Sequence, residues 1–407
     1  MERGGAGSSI QPRVFYPELE SLRGVAAMCV LILHATLVTL STDWSFYGPT
    51  DIDRLGWPLY LVAQGSVVVF NGRAAVVMFF VLSGFVMSFG FGASKRLNAQ
   101  LYFGFLIRRF FRLMPALWAA LVLALIINPD LHRNLRSMEQ YALLKDLSFD
   151  SVAWTLVIEI AICFIYPFMA TAAALLSVGV QALVIVFLAW SFRNAPEIHY
   201  YLCRAPAPIL AFSLGLAVPT LGKLAVQLTD RLSPLGPLLA ILAMMSQEIA
   251  RWYASFDQRA AFAVEYCTIF LPFGSFYIIS WLLFGRHRVV ADLLRRDSIA
   301  AIGRWSYGIY LFHLPIIFAI CREVDAINSP SVRVSIVIVT TIAATLPIAA
   351  ISFRWIETPC IAIGRRLTDL ITAWLNPLVN LPTNRFVSRV SLAPVRAADP
   401  FRASRID

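Results

Sequence analysis

Long apolar segments follow one another along almost the whole of this chain, and few folds can use them. They lie near residues 20–41, 68–92, 113–128, 152–172, 177–192, 205–221, 234–249, 267–285, 299–321 and 333–356. A helix needs about 20 apolar residues to cross the hydrocarbon core of a bilayer. Hydrophobic residues make up 59% of the 407 residues and charged residues only 14%, against roughly a quarter charged in a soluble domain. Mean hydropathy is +0.71. A water-soluble protein of this size would leave much of that apolar surface facing water. The expected fold is therefore all-α, a polytopic membrane protein of about ten transmembrane helices. Between Trp154 and Trp190 only Ser177-Val178-Gly179 marks a turn.

The net charge of +10 does not indicate nucleic-acid binding, because most Lys and Arg flank the apolar spans. One set of loops holds Lys95, Arg96, Arg108, Arg109 and Arg112, then Arg286, Arg288, Arg295 and Arg296, then Arg354, Arg365, Arg366 and Arg385. The opposite set holds Asp43, Asp51, Asp53, Asp130, Asp146 and Asp150. Ten spans with both termini cytoplasmic satisfy the positive-inside rule. Residues 1–16 are polar and expected to be disordered, and the first span reads as an uncleaved signal anchor. Residues 17–360 form the expected transmembrane domain. Residues 361–407 form a basic cytoplasmic tail, partly amphipathic around Ile371 to Leu375 and suited to the inner membrane surface. The six cysteines form no CxxC pair and several lie inside apolar spans. They read as small hydrophobes, with no metal site or disulfide framework indicated.

Polar groups in hydrocarbon are costly, so each one inside a span is a candidate for function. Arg23 and His34 are eleven residues apart on the first span. At 100° per residue they return to nearly the same face, separated by roughly 16 Å along the axis. A snorkelling Arg and a hydrogen-bonded bundle histidine would explain them without chemistry. Ser83-Gly84 in the second span suits a close helix contact, and Arg73 at its outer end suits an interfacial anchor or a ligand contact. Arg109 and Arg112 precede the third span and share a face. They fix topology, or they hold a polyphosphate. Glu159, in the span that opens at Trp154, reaches a depth close to that of His34, where a carboxylate can orient an imidazole. In the ninth span Arg304 lies near the inner end, and Tyr310 and His313 share a face nearer the outside. Tyr307 reads as packing. Glu357-Thr358-Pro359 is expected to end the tenth helix. Arg23, Arg109, Arg112 and Arg304 thus gather at cytoplasmic depth, and His34, Glu159, Tyr310 and His313 gather deeper. An anion site beneath an acid/base site suits the passage of an activated group partway through a membrane.

These segments resemble the membrane acyltransferase-3 family over roughly residues 17–360. The resemblance rests on Arg23 followed after ten residues by His34, on Phe79-Phe80-Val81-Leu82-Ser83-Gly84-Phe85, and on Arg109-x-x-Arg112. It continues with Trp154 to Glu159, Ser306 to His313, and Glu357-x-Pro359. The chain departs from the family pattern at Val77, Thr155, Ile158 and Ile160, which bears on the acceptor side. It also shows no fused extracytoplasmic esterase-like domain, so acceptor delivery is expected to use the membrane domain or a separate extracytoplasmic acyl-carrier protein.

The resemblance implies transfer of an acyl group, usually acetyl, from cytoplasmic acyl-CoA to a hydroxyl of an envelope or exported saccharide, in a bacterial inner membrane. Under that reading Arg23, Arg109, Arg112 and Arg304 hold the acyl-CoA. His34 acts as base or acyl carrier, with Glu159 beside it. Arg73, Ser83, Trp154, Tyr310 and His313 face the substrates. The competing expectation is a proton-coupled transporter or flippase, which intramembrane His, Glu and Arg also fit. Against it stands the lack of inverted repeats.

Overall fold

A computed structural model describes residues 16–41, 48–91, 97–128, 154–194, 206–229, 235–285 and 288–379. The expected N-terminal segment, apart from Tyr16, lies outside these residues. So do Lys95, Arg96, Arg286, Cys203, Asp43, the acidic loop at Asp130 to Asp150, and the tail beyond Val379.

Helix α1 (Pro17–Leu40) opens with Pro17 in its first turn, where a missing N–H costs little, and with Glu18 and Glu20 at the positive end of the dipole. The short α2 (Pro49–Leu55) and then α3 (Trp57–Val69) lead to α4 (Gly72–Ser88). Next come α5 (Ala99–Ile127), α6 (Trp154–Leu175), α7 (Val178–Asn194) and α8 (Pro206–Ala217). A π-turn at Val218–Gly222 carries α8 into α9 (Lys223–Thr229). Then follow α10 (Leu235–Ala254), α11 (Ala261–Thr268), α12 (Phe270–Phe284), α13 (Arg288–Leu294), α14 (Asp297–Arg304) and α15 (Ser306–Glu323). Helix α16 (Pro330–Ser352) passes through a second π-turn, Phe353–Glu357, into α17 (Thr358–Val379). Among the described residues every regular element is helical.

Seven helical runs are long and apolar enough to cross a membrane, among them Pro17–Leu40, Trp57–Ser88 and Pro330–Trp374. Large side chains such as Val62, Ile126, Leu183 and Val339 are exposed on them or on their neighbours, which only an apolar solvent tolerates in such number. The protein is a multi-pass membrane protein. All ten expected segments fall on helices; the three on α7, α10 and α14–α15 are outside the seven.

Three boundaries differ from expectation. The second span is interrupted at Phe70-Asn71, where the Asn71 side chain accepts from the Ala74 N–H at 2.9 Å and restarts the helix as α4. The third begins at Ala99 rather than near 113, because Asn98 caps it from outside (Leu101 N–H, 2.8 Å) and Arg108, Arg109 and Arg112 continue the helix below the apolar part. Pro359 does not end the tenth. The π-turn just before it has already shifted the backbone bonding, so Pro359 falls in the first turn of α17, where no N–H is needed. The expected boundary at residue 360 lies inside that continuous helix.

Small residues let the helix backbones touch. A Cβ on Gly24 of α1 would lie 2.6 Å from the Gly303 nitrogen of α14, and one on Gly84 of α4 would strike the Phe212 backbone of α8. Gly308 of α15 lies against Ala349 of α16. Gly364 of α17 lies against Phe111 of α5. Such crossings are how helices associate where lipid is as apolar as leucine. Helices α1, α4, α5, α6 and α15 surround one cavity.

Candidate active site

Arg23, one residue before the α1–α14 crossing, lines a partly open pocket. Helix α5 adds Arg109 and Arg112 to its wall, and α6 adds Thr155 and Glu159. Phe79 and Ser83 come from α4; Ser306, Tyr307 and Tyr310 come from α15. Glu159 Oε1 accepts from Arg109 Nη1 at 3.2 Å, and the Arg109 guanidinium lies 5.8 Å from the centre of the Phe105 ring. Among the described residues Arg23 and Arg112 make no hydrogen bond or close ion pair. The lining holds three guanidiniums and one carboxylate, while Glu20 and Glu357, outside it, act on Arg23 and Arg112 electrostatically without reaching ion-pair distance. Arg23 and Arg112 thus face the open space rather than a close carboxylate, and guanidinium geometry matches phosphate oxygens.

The wall is braced from behind. Tyr307 donates its hydroxyl to the Leu113 carbonyl at 2.6 Å, tying α15 to α5. Thr155 donates to the Tyr310 hydroxyl at 3.1 Å, tying α6 to α15. Glu357, buried behind α15, accepts from Ser352 at 3.5 Å. A regular α-helix would rotate Glu357 about 140° away from Ser352. The π-turn between them holds more residues per turn and narrows that angle.

One turn beyond Tyr310 along α15, His313 is fully buried. Its Nε2 lies 2.8 Å from His34 Nδ1, and the two rings lie edge to edge in nearly one plane, with centroids 5.1 Å apart and 11° between planes. His313 Nδ1 donates to the Ile309 carbonyl at 3.0 Å. The Tyr310 ring centre is 5.9 Å from that of His313 and 5.9 Å from that of Phe79. Tyr310 and Phe79 therefore stand between the arginine cavity and the histidine pair. The two ends are an anion site and an imidazole pair, roughly 16 Å apart along α1.

The family model described as an acyltransferase domain matches residues 16–350. The chain belongs to the acyltransferase-3 family. It is 26% identical over 393 residues to the peptidoglycan O-acetyltransferase OatA of Listeria monocytogenes serovar 1/2a (strain ATCC BAA-679 / EGD-e). The alignment covers 85% of this chain and 56% of that protein, so the chain spans little more than half of the length of the curated relative it matches. No solved structure matches.

Within this acyltransferase-3 chain the structure sorts the residues singled out from the sequence. Arg23, Arg109, Arg112, Ser83, Glu159 and Tyr310 line one cavity. His34 and His313 form their own pair, outside that lining. Glu159 is engaged with Arg109 in the arginine layer, so the expectation that it sits beside the His34 ring gives way to a histidine neighbour from α15. The expected shared depth of Glu159 and His34 does not hold, because Glu159 lies at the level of Arg23 and Arg109, roughly 16 Å along α1 from His34. Arg73 does not join the cavity. Its Nε lies 3.7 Å from the buried Glu248 of α10, which also faces Arg251 at 3.9 Å. Arg304 is exposed on α14 and absent from the lining. Trp154 is half-buried in packing at the head of α6. The Ser83-Gly84 pair divides its work: Gly84 makes the close helix crossing with α8 that the sequence suggested, while Ser83 faces the cavity. Thr155, Ser306 and Tyr307 also line the cavity and were not among the site candidates. For Ser306 the signal was periodic, since 306, 310 and 313 follow one face of α15. Among the described cysteines Cys163 is buried and Cys29, Cys267, Cys321 and Cys360 are half-buried thiols.

Proposed function

We propose that this chain is a membrane O-acyltransferase that moves an acyl group, most simply acetyl, from cytoplasmic acyl-CoA to a hydroxyl of a cell-envelope saccharide. The observation that carries the reading is the pair of guanidiniums with no close carboxylate among the described residues, Arg23 and Arg112, in a cavity whose far wall leads to an imidazole pair. The phosphates of CoA are the polyanion for the first part, with Arg109 aligned for them by Glu159. An extended pantetheine arm reaching past Tyr310 carries the thioester toward His34. His34 takes the proton of the acceptor hydroxyl, the oxygen attacks the thioester carbonyl, the C–S bond breaks, and the sulfur leaves with that proton as CoA thiol. The alternative for the same residue is that its ring nitrogen accepts the acyl group first.

Ten spans with both termini cytoplasmic put the arginine cavity on the side where CoA is found, and a bacterial inner membrane is the setting we assign. The likeness to a peptidoglycan O-acetyltransferase makes a cell-wall glycan the first acceptor to test. The deciding experiment is acceptor-dependent release of CoA from acetyl-CoA by the purified protein in detergent. His34→Ala is expected to lose about 10²–10⁴-fold in turnover while still inserting in the membrane. Wild-type turnover by that variant would remove His34 from the chemistry, and solute flux without CoA release would support a carrier.

A further inference from the structure

We propose that His313 is a positioning residue, whose Nε2 lone pair holds the His34 imidazole in the tautomer with its basic nitrogen at Nε2. The inference rests on the reading of His34 as the base and deepens it. A neutral imidazole has one N–H and one lone pair on its two ring nitrogens. The Ile309 carbonyl can only accept, so the bond of 3.0 Å requires the hydrogen of His313 to be on Nδ1. The lone pair of His313 is then at Nε2, 2.8 Å from His34 Nδ1. His34 must supply the hydrogen of that bond from Nδ1, which leaves its own lone pair on Nε2. One backbone carbonyl on α15 thus sets the protonation pattern of two rings on two helices.

The placement keeps that pattern in force. His313 is fully buried, so water does not compete for Ile309 or for its Nε2. The rings are within 11° of coplanar, the geometry an in-plane N–H···N bond needs, which fixes the His34 ring as well as its tautomer. When His34 Nε2 receives the acceptor proton, its Nδ1–H bond to His313 becomes charge-assisted, and the imidazolium is stabilised before the proton passes to the leaving sulfur. This is the orienting duty that a carboxylate performs in hydrolase triads, where the wrong tautomer costs on the order of 10⁴-fold. Here a neutral ring performs it, without adding a buried negative charge.

The test uses full-length protein in lipid nanodiscs with ¹⁵N-labelled histidine. The chain has five histidines, and His34→Gln assigns the signal of His34 by its loss. At neutral pH, His34 is expected to show a protonated, pyrrole-type Nδ1 and a pyridine-type Nε2. The reverse assignment overturns the proposal. In His313→Leu the preference is expected to disappear, and kcat to fall about 10²–10³-fold with the KM for acetyl-CoA within about twofold. His313→Gln offers an amide oxygen to the same N–H, and is expected to regain at least about tenfold of that loss. A changed KM with unchanged kcat would make His313 a substrate contact. Equal activity of the Leu and Gln variants would reduce it to packing, and either result sinks the inference. If His34→Ala keeps full turnover, the catalytic reading fails while the measured tautomer still reports on the pair.

Discussion

At the scale of single residues the site divides into charges that meet a ligand and charges that meet each other. Arg112 lines the cavity with no carboxylate at ion-pair distance among the described residues, so removing it takes away ligand binding more than protein stability. A hydrogen bond to a charged group is worth about 1.5–3 kcal/mol. Arg112→Ala is therefore expected to raise the KM for acetyl-CoA about 10–100-fold and to leave the thermal midpoint nearly unchanged, measurable by steady-state kinetics and by melting in the same detergent. Glu159 behaves differently, because its partner is Arg109. Glu159→Gln is expected to shift the KM for acetyl-CoA through a loosened Arg109, with kcat within about fivefold, well short of a lost general base. A collapse of kcat to the level of the His34 variant would place Glu159 in the chemistry. These residues were legible because guanidiniums, carboxylates and imidazoles in apolar helices have few structural excuses. Their pairing was not. Counting along α1 gives relative height and azimuth on one helix, while the height of α6 against α1, and the neighbour of His34, depend on how the helices pack. That neighbour, α15, lies 279 residues further along the chain at the bonded position. Arg73 shows the same limit from the other side: its depth was clear, and its commitment to Glu248 was not.

At the scale of elements, glycines set how near the arginines can come. Gly24 follows Arg23, and a methyl there would meet the Gly303 backbone at 2.6 Å, which no rotamer change relieves. Gly24→Ala is expected to force α1 away from α14, to cost about 1–3 kcal/mol, and to raise the KM for acetyl-CoA by moving Arg23. Gly65, within α3, has open space where a methyl would go, with nothing within 4 Å. Gly65→Ala gains helix propensity without a clash, and is expected to be neutral or to stabilise by up to about 1 kcal/mol. Melting midpoints of the two variants, read side by side, check both. The apolar runs and the turn at Ser177 were plain in the sequence because hydropathy and turn chemistry are local. The π-turn before Pro359 was not, since it is a property of backbone bonding in a particular packing. A rule that proline closes a helix fails where one extra residue per turn has already freed the bond that proline cannot make.

At the scale of the whole molecule, the segment read as a basic tail begins inside the bundle. The first part of α17 lies along α5: Thr368 is buried, its Oγ1 donates to the Gly364 carbonyl at 2.8 Å and faces the Gly104 carbonyl at 3.4 Å, and Gly364 sits on Phe111. Arg109 and Arg112 are carried on the stretch of α5 that these contacts back. The helix that presents the cavity arginines is thus held from outside by residues beyond the expected domain boundary. Two truncations separate the contributions. A chain ending at residue 360 loses α17, and a chain ending at Val379 keeps it. Relative to the latter, the shorter chain is expected to insert in the membrane, to melt several degrees lower (roughly 2–4 °C per kcal/mol lost), and to show a KM for acetyl-CoA raised on the order of tenfold as the arginine face loosens. The His34 tautomer signal, set by α1 and α15, is expected to be the same in both. A shorter chain with unchanged KM would mean that α5 holds its arginines unaided, and that packing between α17 and α5 serves stability alone.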